Sequence, residues 1–303
     1  MSDIYPERVG FVGAGRMAQP MIRRLAAHGK HEIGVYDRDP AATERLTGLP
    51  SVTVHRDPGS LFEASELAIL SLPGPAAVEG TVSELLAGRT PERLTIVNTS
   101  TSGIVTSKKC AERLAGTGVQ LVDAPVSGGM VAAERGALTF IVSGPAEAVR
   151  TARPVLELLG EHLFDVGREP GLAQAVKSAN NMLGLSALLA TAEAAVVLTR
   201  LGVDLAQAID VFNASSGRNS ATLEKFPREV LTGRFDFGFS FASVVKDLSL
   251  FLEAARDAGL DPAVATHAHA AWQQAAEDGY ADLDCTRVVQ YVAGDLGAES
   301  TVD

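Results

Sequence analysis

The chain has 303 residues, 46% of them hydrophobic and 21% charged, a globular composition with length for about two domains. Its formal charge of −11 argues against nucleic acid or an anionic membrane surface as a partner. Two cysteines, Cys110 and Cys285, make neither a disulfide framework nor a zinc pattern, so no metal is expected and a reduced, cytoplasmic setting is.

The opening stretch MSDIYPERVGFVG passes from a polar lead straight into a strand pattern, without the basic region and apolar core of a signal peptide. From residue 8 to about 167, short apolar runs alternate with helical stretches. The runs are RVGFVG, EIGVYD, ELAILSLP, LTIVNTS, VQLVDAPV, LTFIVSG and HLFDVG. Strands spaced by helices predict a parallel sheet wound on both sides. GREPG, residues 167–171, is rich in turn residues, and no strand pattern follows it. The expected division is therefore an α/β domain over 1–167 and an all-helical domain over 168–303.

RVGFVGAGRMAQPMIRRLAAHG gives a strand, a glycine turn and a helix. Gly13 permits the tight turn, Gly15 lets the backbone approach a pyrophosphate, and Ala18 allows close helix–strand packing. The cofactor contacts expected here come from Gly13, Ala14, Gly15, Arg16 and Met17, with the pyrophosphate at the helix N-terminus. Asp37 closes the second strand, where an acid bonds the ribose hydroxyls. Strand, glycines, helix and acid in register indicate a Rossmann-type dinucleotide-binding domain. Asp37 favours NAD, because a carboxylate repels a ribose 2′-phosphate; Arg38, beside it, can receive that phosphate and keeps NADP open.

Two later loops fall at strand C-termini, where open α/β sheets hold ligands: Leu72-Pro73 in LSLPGPAAV, and Ser100 and Thr101 in VNTSTSG. Next, Ser127-Gly128-Gly129 follows an apolar strand and offers backbone N–H groups and a hydroxyl to a carboxylate. A plain turn requiring positive φ explains the same residues equally well.

AVKSANNMLGLSALLATAEAAVVLT, residues 175–199, reads as one long helix, apolar nearly all round and expected to be buried. Lys177 and Glu193 are its only charges. Asn181 falls one turn beyond Lys177, with Asn180 on the neighbouring row and Gln174 and Gly184 on nearly the same face. A glycine in mid-helix costs about 1 kcal/mol relative to alanine and could leave room for a ligand. An ammonium buried without a partner tends to lower its pKa, which suits proton transfer near neutral pH. A structural lysine paired with an acid fits the spacing too.

Helical periodicity continues through LAQAIDVFNAS, FASVVKDLSLFLEAARDAG and PAVATHAHAAWQQAAEDG. Between the first two, NASSGRNSATLEKF at 213–226 reads as a polar loop. Arg218 and Asn219 there either reach a distal anionic or hydroxylated substrate group or decorate a solvated turn. His267, His269 and Trp272 read as packing or surface residues.

Taken together, the motifs GFVGAGRMAQPM, DAPVSGG, KSANN, VVKDL and DLDCTRVVQY, in this order along the chain, resemble those of the β-hydroxyacid dehydrogenase family. That family includes 3-hydroxyisobutyrate dehydrogenase and shares its architecture with 6-phosphogluconate dehydrogenase. The resemblance implies an NAD(P)-dependent oxidoreductase of small 3-hydroxy acids, dimeric or tetrameric through its helices. It further implies Lys177 as general acid/base, Asn181 holding the substrate hydroxyl, and Ser127, Gly128 and Gly129 holding the carboxylate. Leu72, Pro73 and Thr101 match positions lining the cofactor, and Lys246 a lysine near the nicotinamide; Asp247 is expected to pack or pair beside it. Ala18 replaces the usual third glycine, and Ala77 stands where some members carry a polar cofactor contact. Two rivals remain: an imine reductase-like NADPH-dependent enzyme, which resembles the same scaffold but usually lacks the lysine, and an NAD-binding protein without turnover.

Overall fold

The computed structural model describes residues 5–294; both ends of the expected domains, 1–4 and 295–303, lie outside the described residues. The chain forms two compact units that divide between Lys177 and Ser178.

The first unit is built on a nine-stranded sheet. Strands β1 (Arg8–Val12), β2 (Glu32–Tyr36), β3 (Val52–Val54), β4 (Leu67–Leu70), β5 (Leu94–Asn98) and β6 (Val119–Asp123) run parallel in the order β3-β2-β1-β4-β5-β6. The sheet then changes direction: β8 (Leu138–Ser143) pairs antiparallel with β6 and with the short β7 (Val126–Ser127), and β9 (Gly160–Gly167) runs parallel to β8. The seven apolar runs each became a strand. β3 and β7, three and two residues long, are too short to carry a periodicity, and strand direction is not written in an apolar run.

Burial on both faces explains the sequence of the central strands. In β4, Leu67 and Ile69 join one core cluster, and Ala68 and Leu70 join another. The first cluster packs α1 (Ala18–His28), α6 (Gly129–Arg135) and α7 (Ala146–Leu159); the second packs α3 (Pro58–Ala64), α4 (Pro75–Ala87) and α5 (Gly103–Leu114). A short α2 (Pro40–Glu44) follows β2, capped by the Asp39 carboxylate. Strand order reverses between β1 and β4, and the crevice beyond their C-terminal ends is where such sheets take ligands.

Helix α8 (Leu172–Arg200) begins in the first unit and continues as the first helix of the second. It is long and apolar enough to cross a membrane by length and composition. The second unit adds α9 (Leu205–Ala214), a π-helical stretch Ala221–Val230, α10 (Phe241–Asp257), α11 (Ala263–Ala275) and α12 (Val288–Ala293). Its core centres on Trp272, fully buried and meeting Phe241 edge-to-face at 5.0 Å, so the packing role expected of Trp272 holds.

Two expectations need correction here. The polar stretch 213–226 is not one loop, because its second half enters the π-helix. Asn219 starts that helix, its Oδ1 accepting the N–H groups of Ala221 and Thr222 at 2.7 and 3.2 Å, and the wide π turn accommodates Pro227. Nor is α8 a wholly buried helix. Val176, Leu183 and Val197 are 43%, 64% and 56% exposed, so an all-round apolar helix leaves one face uncovered within a single chain.

Candidate functional site

The glycine loop between β1 and α1 is tied down at both of its ends. Gly13 has φ +96°, and a Cβ there would stand 2.2 Å from the Ser71 carbonyl oxygen, so only glycine lets the loop pass β4. Its N–H donates to the Tyr36 carbonyl at 2.8 Å. Ala14 N–H donates to Asp37 Oδ2 at 2.6 Å, and Asp39 N–H to Asp37 Oδ1 at 2.9 Å. The acid foreseen as a ribose ligand therefore also anchors the loop; a carboxylate has about four acceptor positions, so both uses are compatible.

The loop's outer surface fits a dinucleotide. A Cβ on Gly15 would meet nothing within 4 Å, which leaves open space directly over the backbone. The N-terminus of α1 carries no side-chain cap and no acid in its first turn, so its positive end is left to another anion. Arg16 and Arg38 are exposed beside it and Met17 is half-buried.

Leu72 and Pro73 follow β4, and Ser100 and Thr101 follow β5. Ser100 fastens these loops together, its Oγ accepting from Leu72 N–H at 2.9 Å and donating to the Leu70 carbonyl at 3.3 Å.

Further along the sheet, β7 carries Ser127 into a turn. Gly128 has φ +123°, and a Cβ there would sit 2.5 Å from Ala132 Cβ; Gly129, at φ +65°, faces open space. Gly128 is thus demanded by the backbone, as the plain-turn reading requires, while Gly129 leaves its surroundings open. Lys177 lies over this turn. It is 8% exposed, and its Nζ donates to Ser127 Oγ at 2.9 Å. The lysine and serine picked out separately in the sequence are hydrogen-bonded partners.

The start of the helix that carries Lys177 is anchored by a buried network that the sequence pattern did not announce. Asp123, at the end of β6, is 1% exposed. It accepts from Ser107 Oγ at 2.6 Å, Gly171 N–H at 2.8 Å, and Asn98 Nδ2 and Gln174 Nε2 at 3.3 Å each. Burial pushes its carboxyl above the ordinary value, and the four hydrogen bonds pull the other way. Gln174 itself is wholly buried. Its Oε1 accepts the Ser102 and Gly103 N–H groups at 3.0 and 3.3 Å, and its Nε2 donates to the Ser100 carbonyl at 2.9 Å. Grouping Gln174 with Lys177 on one polar face is therefore corrected: Gln174 staples the start of α8 to the β5 and β6 loops. DAPVSGG held the clue, since it opens on an acid that directly follows the buried Leu121 and Val122 of β6.

In the second unit, Asn181 Nδ2 donates to Asp247 Oδ2 at 2.6 Å. Asp247 is 1% exposed, and its other oxygen lies 2.9 Å from Lys246 Nζ. Asp247 so fixes the amide of the residue one turn beyond Lys177. Asn180 is exposed, its Nδ2 3.5 Å from Asn181 Oδ1. Among the described residues no cluster of metal-ligating side chains occurs, and both cysteines are buried and free.

Comparison with known proteins matches both parts of the chain. A model described as the NAD binding domain of 6-phosphogluconate dehydrogenase covers residues 8–167. A second, described as the NAD-binding domain of NADP-dependent 3-hydroxyisobutyrate dehydrogenase, covers 171–292. The 3-hydroxyisobutyrate dehydrogenase of Pseudomonas aeruginosa is 35% identical over 259 residues, spanning 82% of this chain and 85% of the relative. A solved structure of 3-hydroxyisobutyrate dehydrogenase from Mycobacterium tuberculosis with L-serine superposes with a TM-score of 0.84 at 28% identity, covering 94% of this chain and 99% of that one. An imine reductase from Streptomyces aurantiacus shares the fold, at a TM-score of 0.64 and 20% identity over 94% of this chain and 99% of its own.

Proposed function

The chain belongs to the β-hydroxyacid dehydrogenase family and is an NAD(P)-dependent oxidoreductase, and from that premise we propose that it interconverts a small 3-hydroxy acid and its semialdehyde, with Lys177 moving the hydroxyl proton. The observation that carries the reading is the nearly buried Lys177 Nζ held 2.9 Å from Ser127 Oγ, above a glycine turn.

In this reading the Ser127 hydroxyl and the backbone of Gly128 and Gly129 hold the substrate carboxylate. Asn181, its amide fixed by Asp247, holds the hydroxyl next to Lys177. The neutral amine of Lys177 takes the hydroxyl proton as the C–O bond becomes a carbonyl, and the ammonium returns that proton in reduction. A bound nicotinamide would supply the hydride acceptor that this oxidation requires. The Gly13–Met17 turn and Asp37 would hold the dinucleotide, with Leu72, Pro73 and Thr101 along its path, while Lys246 matches the family's lysine near the nicotinamide. The imine reductase rival is disfavoured by the presence of Lys177 and Asn181 together. Assaying both cofactors across small 3-hydroxy acids and their semialdehydes tests the reading, and absence of turnover with all of them would favour the NAD-binding protein without activity.

NAD is the expected cofactor. Asp37 stands fixed by two backbone N–H groups and cannot swing away from a 2′-phosphate, whereas Arg38 is exposed. The ratio of kcat/KM for NAD to that for NADP should exceed one, and a clear NADP preference would show that Arg38 governs the choice.

The uncovered face of α8 supports self-association. Leu183 and Val197, with Leu201 just past the helix end, are each more than half exposed, an apolar strip that a second copy of the same segment would cover. Light scattering on the purified protein should give at least a dimer, and Leu183→Glu should shift it towards the monomer; a monomeric wild type would remove this proposal.

A further inference from the structure

Helix α1 has a second face besides the one it buries in the core. Met21, Ile22 and Leu25 are fully buried. Pro20, Arg23, Arg24, Ala27 and His28, spaced three and four apart, share the outer side of the helix. Together with Glu134 of α6 and Leu158 of α7, this side lines a groove of about 530 Å³, a size usual for small-molecule sites. The whole groove belongs to the first unit.

Its two arginines are seated without acids. Arg24 Nε donates to the Leu158 carbonyl, and the guanidinium lies over the bare backbone of Gly136, where a Cβ would collide with it. Arg23 Nη2 donates to the Arg45 carbonyl at 2.6 Å. Each bond holds a guanidinium in place and leaves most of its N–H donors unused. Among the described residues neither arginine has a carboxylate within ion-pair distance. Glu134 lines the same groove, but it is exposed and pairs with neither. In a chain with 37 acidic and 26 basic residues, two adjacent arginines held by carbonyls alone are left for an anion from outside.

The lining also narrows the class of that anion. Two guanidinium forks side by side match the oxygens of a phosphate and balance a dianion. The remaining surface is mainly apolar, from Pro20, Ala27, Leu158 and the arginine stems, and suits a hydrocarbon body. The dinucleotide crevice is a different place. Its pyrophosphate belongs at the N-terminus of α1, and Arg24 stands roughly 9 Å along the helix axis from Ala18.

We propose that the groove between α1, α6 and α7 binds a phosphate monoester with an apolar body, its phosphate held by Arg23 and Arg24. The site lies outside the reaction proposed above and requires nothing of it.

Calorimetric titration with phenyl phosphate tests the proposal, on protein saturated with NAD so that the dinucleotide's own phosphate site is filled. One molecule should bind per chain, with Kd about 1 mM or tighter. Benzoate, a monoanion, and phenol, without charge, should each bind about tenfold more weakly or worse. Arg23→Gln and Arg24→Gln should each weaken phenyl phosphate binding by about tenfold. Arg23 is exposed and bonded only to a carbonyl, so its variant serves even where Arg24→Gln fails to fold. Glu134→Gln should strengthen binding by about twofold, because it removes a like charge from the groove. Lys177→Met should leave the affinity as it is, since Ser127 and its turn take no part. Four results would overturn the proposal: no saturation at about ten times the expected Kd, an affinity indifferent to Arg23→Gln, benzoate bound as tightly as phenyl phosphate, or binding lost in Lys177→Met.

Discussion

Lys177→Ala should lower kcat by about 10²–10⁴-fold, the usual contribution of general acid/base catalysis, while NAD affinity and melting temperature stay close to wild type. The expectation follows from where the side chain ends. Its Nζ meets the Ser127 hydroxyl at 2.9 Å, whereas the cofactor loop is held by Gly13, Tyr36 and Asp37 without it. Lys177→Arg should be nearly as slow, because a guanidinium remains protonated and cannot accept the hydroxyl proton. If Lys177 only tied α8 to the Ser127 turn, arginine would be tolerated and alanine would show its effect in the melt instead. Steady-state kinetics beside a cofactor titration and a thermal melt separate these outcomes.

Asp123→Ala should be the most destabilising of the substitutions considered. It leaves the Ser107 hydroxyl and the Gly171 N–H buried without an acceptor, since Asn98 Nδ2 and Gln174 Nε2 keep second partners in Ser102 Oγ and the Ser100 carbonyl. Two orphaned groups at roughly 1–3 kcal/mol each give a loss on the order of 4 kcal/mol. Urea unfolding of both proteins measures it, and a loss below about 1 kcal/mol would mean that the network is dispensable. The pH dependence carries a further signature. With the native carboxyl raised by burial, the folded chain keeps a proton that the unfolded chain has released. Wild-type stability from this group therefore falls as pH rises from the ordinary carboxyl range through the native pKa, a slope the alanine variant should lack. Because Gly171 and Gln174 lie just ahead of Lys177, the variant should also lose activity by displacing the lysine.

Much of this architecture is legible in the amino-acid sequence, for identifiable reasons. Seven strands announced themselves as apolar runs bounded by turns, and the glycine turn with its acid specified the cofactor crevice by local spacing. Lys177 stood out because a charge in an apolar helix has to be explained. The features that escaped depend on contacts between distant segments. Asp123 draws donors from Asn98, Ser107, Gly171 and Gln174, four places that no window of sequence brings together. Gln174 looked like a neighbour of Lys177 by helical spacing, yet its amide is consumed by the β5 loop. The reversal at β8 follows from how Val126 and Ser127 turn back to pair with Phe140 and Thr139, a matter of connection rather than of residue pattern. Residues 221–226 read as a loop because Asn, Ser and Gly precede them and Pro227 follows. The Asn219 cap and the burial of Phe226 make them helical instead.

The most direct test of the central claim is the rate of hydride transfer in a single turnover of the NAD-bound protein with its 3-hydroxy acid, followed against pH in wild type and Lys177→Arg. Only a neutral amine can accept the hydroxyl proton, so the wild-type rate should rise with pH to a plateau, and the arginine variant should stay low and flat. An arginine variant that transfers hydride near the wild-type rate, or a wild-type rate indifferent to pH, would contradict the assignment of Lys177 as the base.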